Sequence, residues 1–251
     1  MSEKIKKNIH IGKMKRYLII LVLISGNMVR SQFLENLTYG IKAGGTYSRI
    51  GNLSKMIVSE EYYQDYTMKE EVRWGCEAGL FLNYKFPDTR IALQPEILYS
   101  MQGGKIKYND INGLNYQMDF NYNYLTLVSL VKVYPIGGLN LGLGPVLSFN
   151  LTPGAIEYES NQEYFNLGRD LETRQILRNT IKGKTDFSLV ANLGYEFENG
   201  LMFEVRYKIG LTDVIETQVN GYKFVENHNP CNVFTLTVGY AFNFDSRNNF
   251  R

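Results

Sequence analysis

The sequence predicts an all-β chain: eight antiparallel strands closed into an up-and-down transmembrane β-barrel. Three observations predict it. An export signal stands at the front, eight later segments alternate large apolar with small or polar residues, and the links between them alternate short and long.

The signal comes first in the chain. Lys13, Lys15 and Arg16 precede an apolar run, Tyr17 to Ile24, and a polar stretch follows that ends in Val29-Arg30-Ser31. A basic region, a short apolar core and small residues near a cut site make a secretory signal peptide. The run is about eight residues, whereas a spanning helix needs roughly 20. Cleavage is expected after Ser31, giving a signal peptide over 1–31 with an extended basic front and an outer-membrane β-barrel domain over 32–251. Met14-Lys15-Arg16 would by itself begin an ordinary signal. An N-terminal membrane anchor is the competing reading.

Removing the signal reverses the charge. Seven of the 27 Lys and Arg, but one of the 25 Asp and Glu, lie in residues 1–31, so the remainder is acidic by four charges. Nothing basic is left to point to nucleic acid. No second apolar run approaches spanning length, so a membrane protein of this mean hydropathy, −0.24, must be a closed barrel that hides polar residues on alternate positions. Nineteen Tyr and 14 Phe against six Pro favour strands.

The segments follow in order, each with the period of two that marks a strand with unlike faces. Tyr39 to Ser48 sets Tyr39, Ile41, Ala43 and Tyr47 against Gly40, Lys42, Gly44 and Thr46. Trp74 to Phe86 sets Trp74, Cys76, Leu80, Leu82 and Tyr84 against Gly75, Glu77, Gly79, Asn83 and Lys85. Ile91 to Met101 sets Ile91, Leu93, Ile97 and Tyr99 against Ala92, Gln94, Glu96 and Ser100. Tyr122 to Tyr134 is apolar in both phases; Leu125, Leu127, Val131 and Val133 are assigned outward, Thr126 and Lys132 inward. Leu139 to Phe149, Asp186 to Phe197, Leu201 to Leu211 and Phe234 to Phe244 complete the set.

The links orient the barrel. Short ones fall at 87–89, 135–138 and 198–200, long ones at about 51–71, 103–120, 151–185 and 213–231. Outer-membrane barrels have short periplasmic turns and long external loops. Both termini then lie on the periplasmic side. A soluble periplasmic lipocalin-like ligand-binding barrel would reverse the faces, and its exterior would be Gly, Ala, Ser, Thr and Asn rather than long charged side chains.

Nine charges fall on inward positions: Lys42, Glu77, Lys85, Glu96, Lys132, Glu196, Glu204, Arg206 and Lys208. An eight-stranded barrel is just wide enough for side chains to fill, so these are expected to pair across the lumen. The alternative is a narrow channel for small polar solutes. Aromatic residues cluster at the strand ends. Tyr84, Tyr195, Phe197, Phe242 and Phe244 mark the periplasmic interface, and Trp74, Tyr99, Phe149, Phe187 and Phe234 the external one.

Catalytic and cofactor chemistry find no foothold. His10 leaves with the signal, His228 stands between Asn227 and Asn229 without a motif, and no metal-ligand spacing occurs. Cys76 and Cys231 are expected roughly 10 Å apart, with one strand between them, beyond the ~7 Å that a disulfide spans. Within 151–185, Asn161 to Lys182 reads either as a short helix with Leu167, Leu171 and Ile181 on one side or as strand extended above the membrane.

Gly40-Ile41-Lys42-Ala43-Gly44, Leu93-Gln94-Pro95-Glu96-Ile97-Leu98-Tyr99-Ser100, and Glu204-Val205-Arg206-Tyr207 with Gly210-Leu211-Thr212-Asp213 resemble the PorT-like outer-membrane β-barrel domain family. The resemblance covers most of the chain after Gln32 and implies an eight-stranded barrel. It implies little about activity, since most members have none assigned; the namesake subgroup takes part in protein secretion and gliding. Two features depart from the family pattern. Thr126 and Val128 stand where its fourth strand usually carries an acidic residue and a proline, and a tail from Asp245 to Arg251 follows the last strand aromatic. The expected protein is a monomeric, filled barrel without catalysis, embedded in outer-membrane lipid of a Gram-negative bacterium. Its external loops would bind an envelope or extracellular protein.

Overall fold

Alternating side chains dictate the architecture, because a strand with one apolar and one polar face must bury or solvate each face separately. A computed structural model of the protein describes residues 36–54, 66–161, 169–219, 222–224 and 228–242. Its elements are β1 (Leu37–Ile50), β2 (Tyr66–Glu71), β3 (Arg73–Lys85), β4 (Ile91–Asp110), β5 (Asn115–Ile136), β6 (Leu139–Asn150), β7 (Ile156–Ser160), α1 (Arg169–Thr180), β8 (Ile181–Gly183), β9 (Asp186–Glu196), β10 (Leu201–Gly210), β11 (Ile215–Val219), β12 (Tyr222–Phe224) and β13 (Cys231–Phe242). Eight of them form a closed antiparallel ring in the order β1, β3, β4, β5, β6, β9, β10, β13 and back to β1. Closure runs from Tyr39 opposite Phe242 to Ile50 opposite Cys231, and a closed ring leaves no strand edge exposed.

The turn end of the ring is tight. Gly137 and Gly200 adopt φ of +50° and +84°, the left-handed region that glycine enters without steric cost. At Gly200, Phe197 N–H donates to the Leu201 carbonyl and Gly200 N–H to the Phe197 carbonyl, closing the β9–β10 hairpin.

Around the ring the large apolar side chains point outward. Ile41, Leu80, Ile97, Val131, Leu143, Leu193, Val205 and Leu236 are all exposed, while Lys42, Glu96, Lys132 and Glu204 are buried. An exposed apolar belt this large is untenable in water and suits hydrocarbon. The outward set Leu125, Leu127, Val131 and Val133 lies where the sequence assigns it, with Thr126 and Lys132 inside. Inside, the polar contents are flanked by Leu98, Val128, Leu130, Val146 and Val190 on the wall from β4 to β9.

The long links are not plain loops, and here the sequence expectation is corrected. β4 and β5 continue well past residues 101 and 122, pairing from Ile91 opposite Val133 up to Asn109 opposite Asn115. β2 adds to β4 over Lys105–Asp110, and β7 adds to β5 over Tyr116–Phe120. Even-numbered residues stay inward from Ala92 to Ile106 on β4 and from Met118 to Tyr134 on β5, but the chemistry of the faces inverts. Outside the belt the inward residues are Ile106, Met118, Phe120 and Tyr122, and the outward ones are Lys105, Lys107, Asp119 and Asn121. Water, not lipid, bathes that part. These side chains build a core over the ring's loop end with Ile50, Leu53, Tyr124, Ile156, Ile181, Val214, Ile215, Cys231 and Val233. β8, β11 and β12 form a separate small sheet. The helix expected within 161–182 is α1, but Leu171 is exposed, Ile181 belongs to β8, and Leu177 makes the contact with the core. Leu167 lies outside the described residues.

Candidate functional site

The candidate site is the lumen, where β1, β4, β5, β9 and β10 each aim charged side chains at the barrel axis. Their meeting follows from the strand period, since Glu204, Arg206 and Lys208 on β10 share one face. Glu96 and Glu204 are the anchors. Arg206 donates to Glu96 through both Nη1 and Nη2 at 2.6 Å, and through Nη2 to Glu204 Oε2 at 2.7 Å. Such a two-pronged pair suits the planar guanidinium. Lys42 Nζ donates to Glu96 Oε1 at 2.8 Å and also to Glu204. Lys132 Nζ lies 2.8 Å from Glu204 Oε1 and 3.2 Å from Glu196 Oε1.

Neutral side chains extend the network in both directions. Toward the turn end, Tyr134 Oη donates to Glu196 Oε1 and accepts from Asn83 Nδ2, both at 2.8 Å. The Lys85 ammonium sits over the Tyr134 ring, 5.5 Å from its centre. Arg206 Nε donates to Asn192 Oδ1, and Asn192 Nδ2 to Asn140 Oδ1. Toward the loop end, Lys208 Nζ donates to Asp186 Oδ2 at 2.9 Å and Gln102 Oε1 at 2.6 Å. Gln102 donates on to Ser100, whose hydroxyl lies 3.4 Å from Glu77 Oε2.

All nine predicted lumen charges are thus buried inside the ring. The acidic count needs one addition: Asp186 faces inward and pairs with Lys208, making five acids to five bases in the set. Asp186 shares its parity with Ser188 and was legible from that phase alone. Tyr134, in phase with Thr126 and Lys132, was likewise readable. Glu77 has no ion pair among the described residues, and its Oε1 is buried without a hydrogen-bond partner.

The aromatic residues stand outward in two tiers. At the loop end Tyr47 and Trp74 meet edge to face at 4.8 Å. Phe149 lies across from Leu125, which lies across from Tyr99; Phe187 pairs with Leu147, and Phe234 with Tyr47. At the turn end Tyr84–Phe86, Tyr195–Phe197 and Tyr240–Phe242 make edge contacts at 4.8–5.4 Å. Phe244 and Ser31 lie outside the described residues. Cys76 is exposed on the lipid side and Cys231 buried in the cap, and both are free thiols. His228 is exposed, with Nδ1 3.2 Å from Asp213 Oδ1. Among the described residues no group of His, Cys, Asp and Glu is placed to hold a metal.

Residues 30–216 match the family described as outer membrane protein beta-barrel domain. The chain belongs to this family. The outer-membrane barrel therefore has its turn end in the periplasm and its apolar-cored extension outside the cell. It is similar in fold to Neisserial surface protein A, at 7% identity and TM-score 0.38 over 81% of this chain and 97% of that one. It is also similar to Ail, the attachment invasion locus protein of Yersinia pestis, at 14% identity and TM-score 0.37 over 82% and 98%. OprG from Pseudomonas aeruginosa gives 13% identity and TM-score 0.37 over 82% and 94%. Nothing about activity passes from likenesses at this level. No curated protein sequence matches the chain.

Proposed function

We propose that this outer-membrane barrel is a closed interaction scaffold: a filled, non-conducting and non-catalytic stem that carries an ordered external head for an envelope or extracellular protein. One observation carries the reading. Lys42, Glu96, Lys132, Glu204 and Arg206 fill the centre of the lumen and bond to one another, and none of their side chains is more than 4% exposed. Buried charges persist only when paired, so this cluster resists being opened for solute. The apolar core above it is a second closure. Residues 1–31 serve in this reading as the export signal, cut after Ser31, and the segments around Gly40, Leu93 and Glu204 support the finer PorT-like assignment.

A narrow channel is the second reading. Its support is the set of inward polar atoms without protein partners, Glu77 Oε1, Asn83 Oδ1 and Gln94 Oε1, which call for water. Single-channel recording in planar bilayers separates the two. The scaffold reading expects a silent baseline with heat-modifiable, correctly folded protein; reproducible conductance steps would overturn it.

A further inference from the structure

Among the described residues β7 pairs with β5 along one side only. Its other edge presents the Ile156 and Tyr158 carbonyls and the Ser160 N–H, and α1 meets all three with side chains. Arg178 Nε donates to the Ile156 carbonyl at 2.8 Å, and Arg174 Nη2 to the Tyr158 carbonyl at 3.0 Å. Asp170 accepts from Ser160 N–H at 2.6 Å and from Ser160 Oγ at 2.7 Å. The helix residues are spaced by four and the strand residues by two. Four helical residues rise about 6.0 Å and two strand residues about 6.6 Å, so the repeats stay in step. The helix stands in for the next antiparallel strand.

We propose that the outer edge of β7 is a strand-docking site, held shut in cis by α1, and that its occupant is an extended segment alternating basic with apolar residues. The inference rests on the scaffold reading and names the partner class for the external head. Strand addition takes its affinity from backbone hydrogen bonds and its specificity from alternate side chains. On one face β7 shows Glu157 and Glu159, both exposed and without an ion pair among the described residues. Asp119 lies across from Glu157, but its charge is taken up by Lys105 Nζ at 3.1 Å, so the negative field there is that of Glu157 and Glu159. A hollow of about 330 Å³ opens there, lined by Glu159, Gln117, Asn115 and Asn161 and by Lys107, whose own charge is held by Glu71 at 2.8 Å. On the other face Ile156 and Tyr158 belong to the apolar core. A second copy's β7 fits poorly, because pairing about Tyr158 sets Glu157 of one copy against Glu159 of the other, and like charges directly opposite repel. The latch is light. Of the apolar side chains of α1, Leu171 and Ile176 are exposed and Leu177 alone packs on the core.

The test uses the full chain folded in detergent, with heat-modifiable migration as the fold control. Its probes are short fluorescent peptides of alternating Lys and Val, or of alternating Glu and Val. Arg174→Ala/Arg178→Ala is expected to bind the Lys–Val peptide at least tenfold more tightly than the unaltered protein and to ignore the Glu–Val peptide. Adding Glu157→Gln/Glu159→Gln should remove that gain. Failure of the folded double variant to bind, or equal binding of both peptides, overturns the proposal. So does self-association of the variant, which would make a second copy the occupant. Should the double variant not fold, Asp170→Ala, which removes only the carboxylate contact at the Ser160 end, is expected to show a smaller gain, and no gain there is equally fatal. The readout is independent of conductance, so failure here and failure of the closed-stem reading are distinguishable.

Discussion

Arg206 and Glu204 lie two residues apart on the same face of β10, joined Nη2 to Oε2 at 2.7 Å. Glu204 is also the shared acceptor of Lys42 and Lys132, which reach it from β1 and β5. Three cations therefore depend on one carboxylate in the middle of the lumen. Glu204→Gln leaves them short of negative charge, and breaking a buried ion pair costs about 3–5 kcal/mol. The expected outcome is a lower urea midpoint and a lower heat-modification temperature. Lys132→Met in the same background should recover part of the loss, and a wild-type midpoint for Glu204→Gln would show that the network carries no stability.

The two closures act in series, so opening one leaves the other. Glu96→Ala/Arg206→Ala removes the centre of the charge cluster but leaves Phe120, Tyr122 and Tyr124 buried in the cap above it. That double variant should stay silent in planar bilayers. Adding Tyr122→Ala and Phe120→Ala should produce conductance steps. Steps from the first double variant alone would mean the cap does not seal.

The stem was legible in the sequence because lipid outside and ion pairs inside impose opposite chemistries on alternate residues. Leu193, Val205 and Leu236 against Asn192, Glu204 and Thr237 state both the strand and its face. The head was not, for a physical reason. Past Met101 on β4 and before Leu125 on β5 the outward solvent changes from lipid to water, and Lys105, Lys107 and Asp119 take outward positions. The period of two continues, but its hydropathy phase flips by half a cycle, so a search for one phase stops at the membrane boundary. The lumen pairings were out of reach for another reason: which of the inward charges meet depends on stagger around the ring, and Arg206 reaches Glu96 across 110 positions of chain.

Trp74 is the protein's single tryptophan and stands 75% exposed at the outer girdle, edge-on to Tyr47. Interfacial tryptophans sit at headgroup depth. Its emission in vesicles should be blue-shifted relative to the urea-unfolded chain. Lipids brominated near the headgroup should quench it more than lipids brominated near the acyl terminus. Stronger quenching from the acyl terminus would place Trp74 at the bilayer centre and move the whole girdle.

Glu70 ties the head to the rim of the barrel. Its carboxylate accepts from Ser54 N–H at 3.1 Å, Ser54 Oγ at 3.0 Å and Arg49 Nη2 at 3.1 Å. Burial opposes its ionisation, but the Ser54 hydrogen bonds and the Arg49 charge outweigh burial and hold it below its ordinary value of 4.5. A depressed carboxylate pKa stabilises the folded form above the unfolded value, and that contribution is lost as pH falls through the folded value. The anchor should therefore be intact at pH 5 and above and loosen only beneath 4.5. An NMR titration checks it: the Ser54 amide shift should follow a midpoint below 4.5, and Arg49→Ala should move that midpoint upward. A Ser54 midpoint at or above 4.5 in the unaltered protein would show that burial, not the Ser54 and Arg49 contacts, governs Glu70.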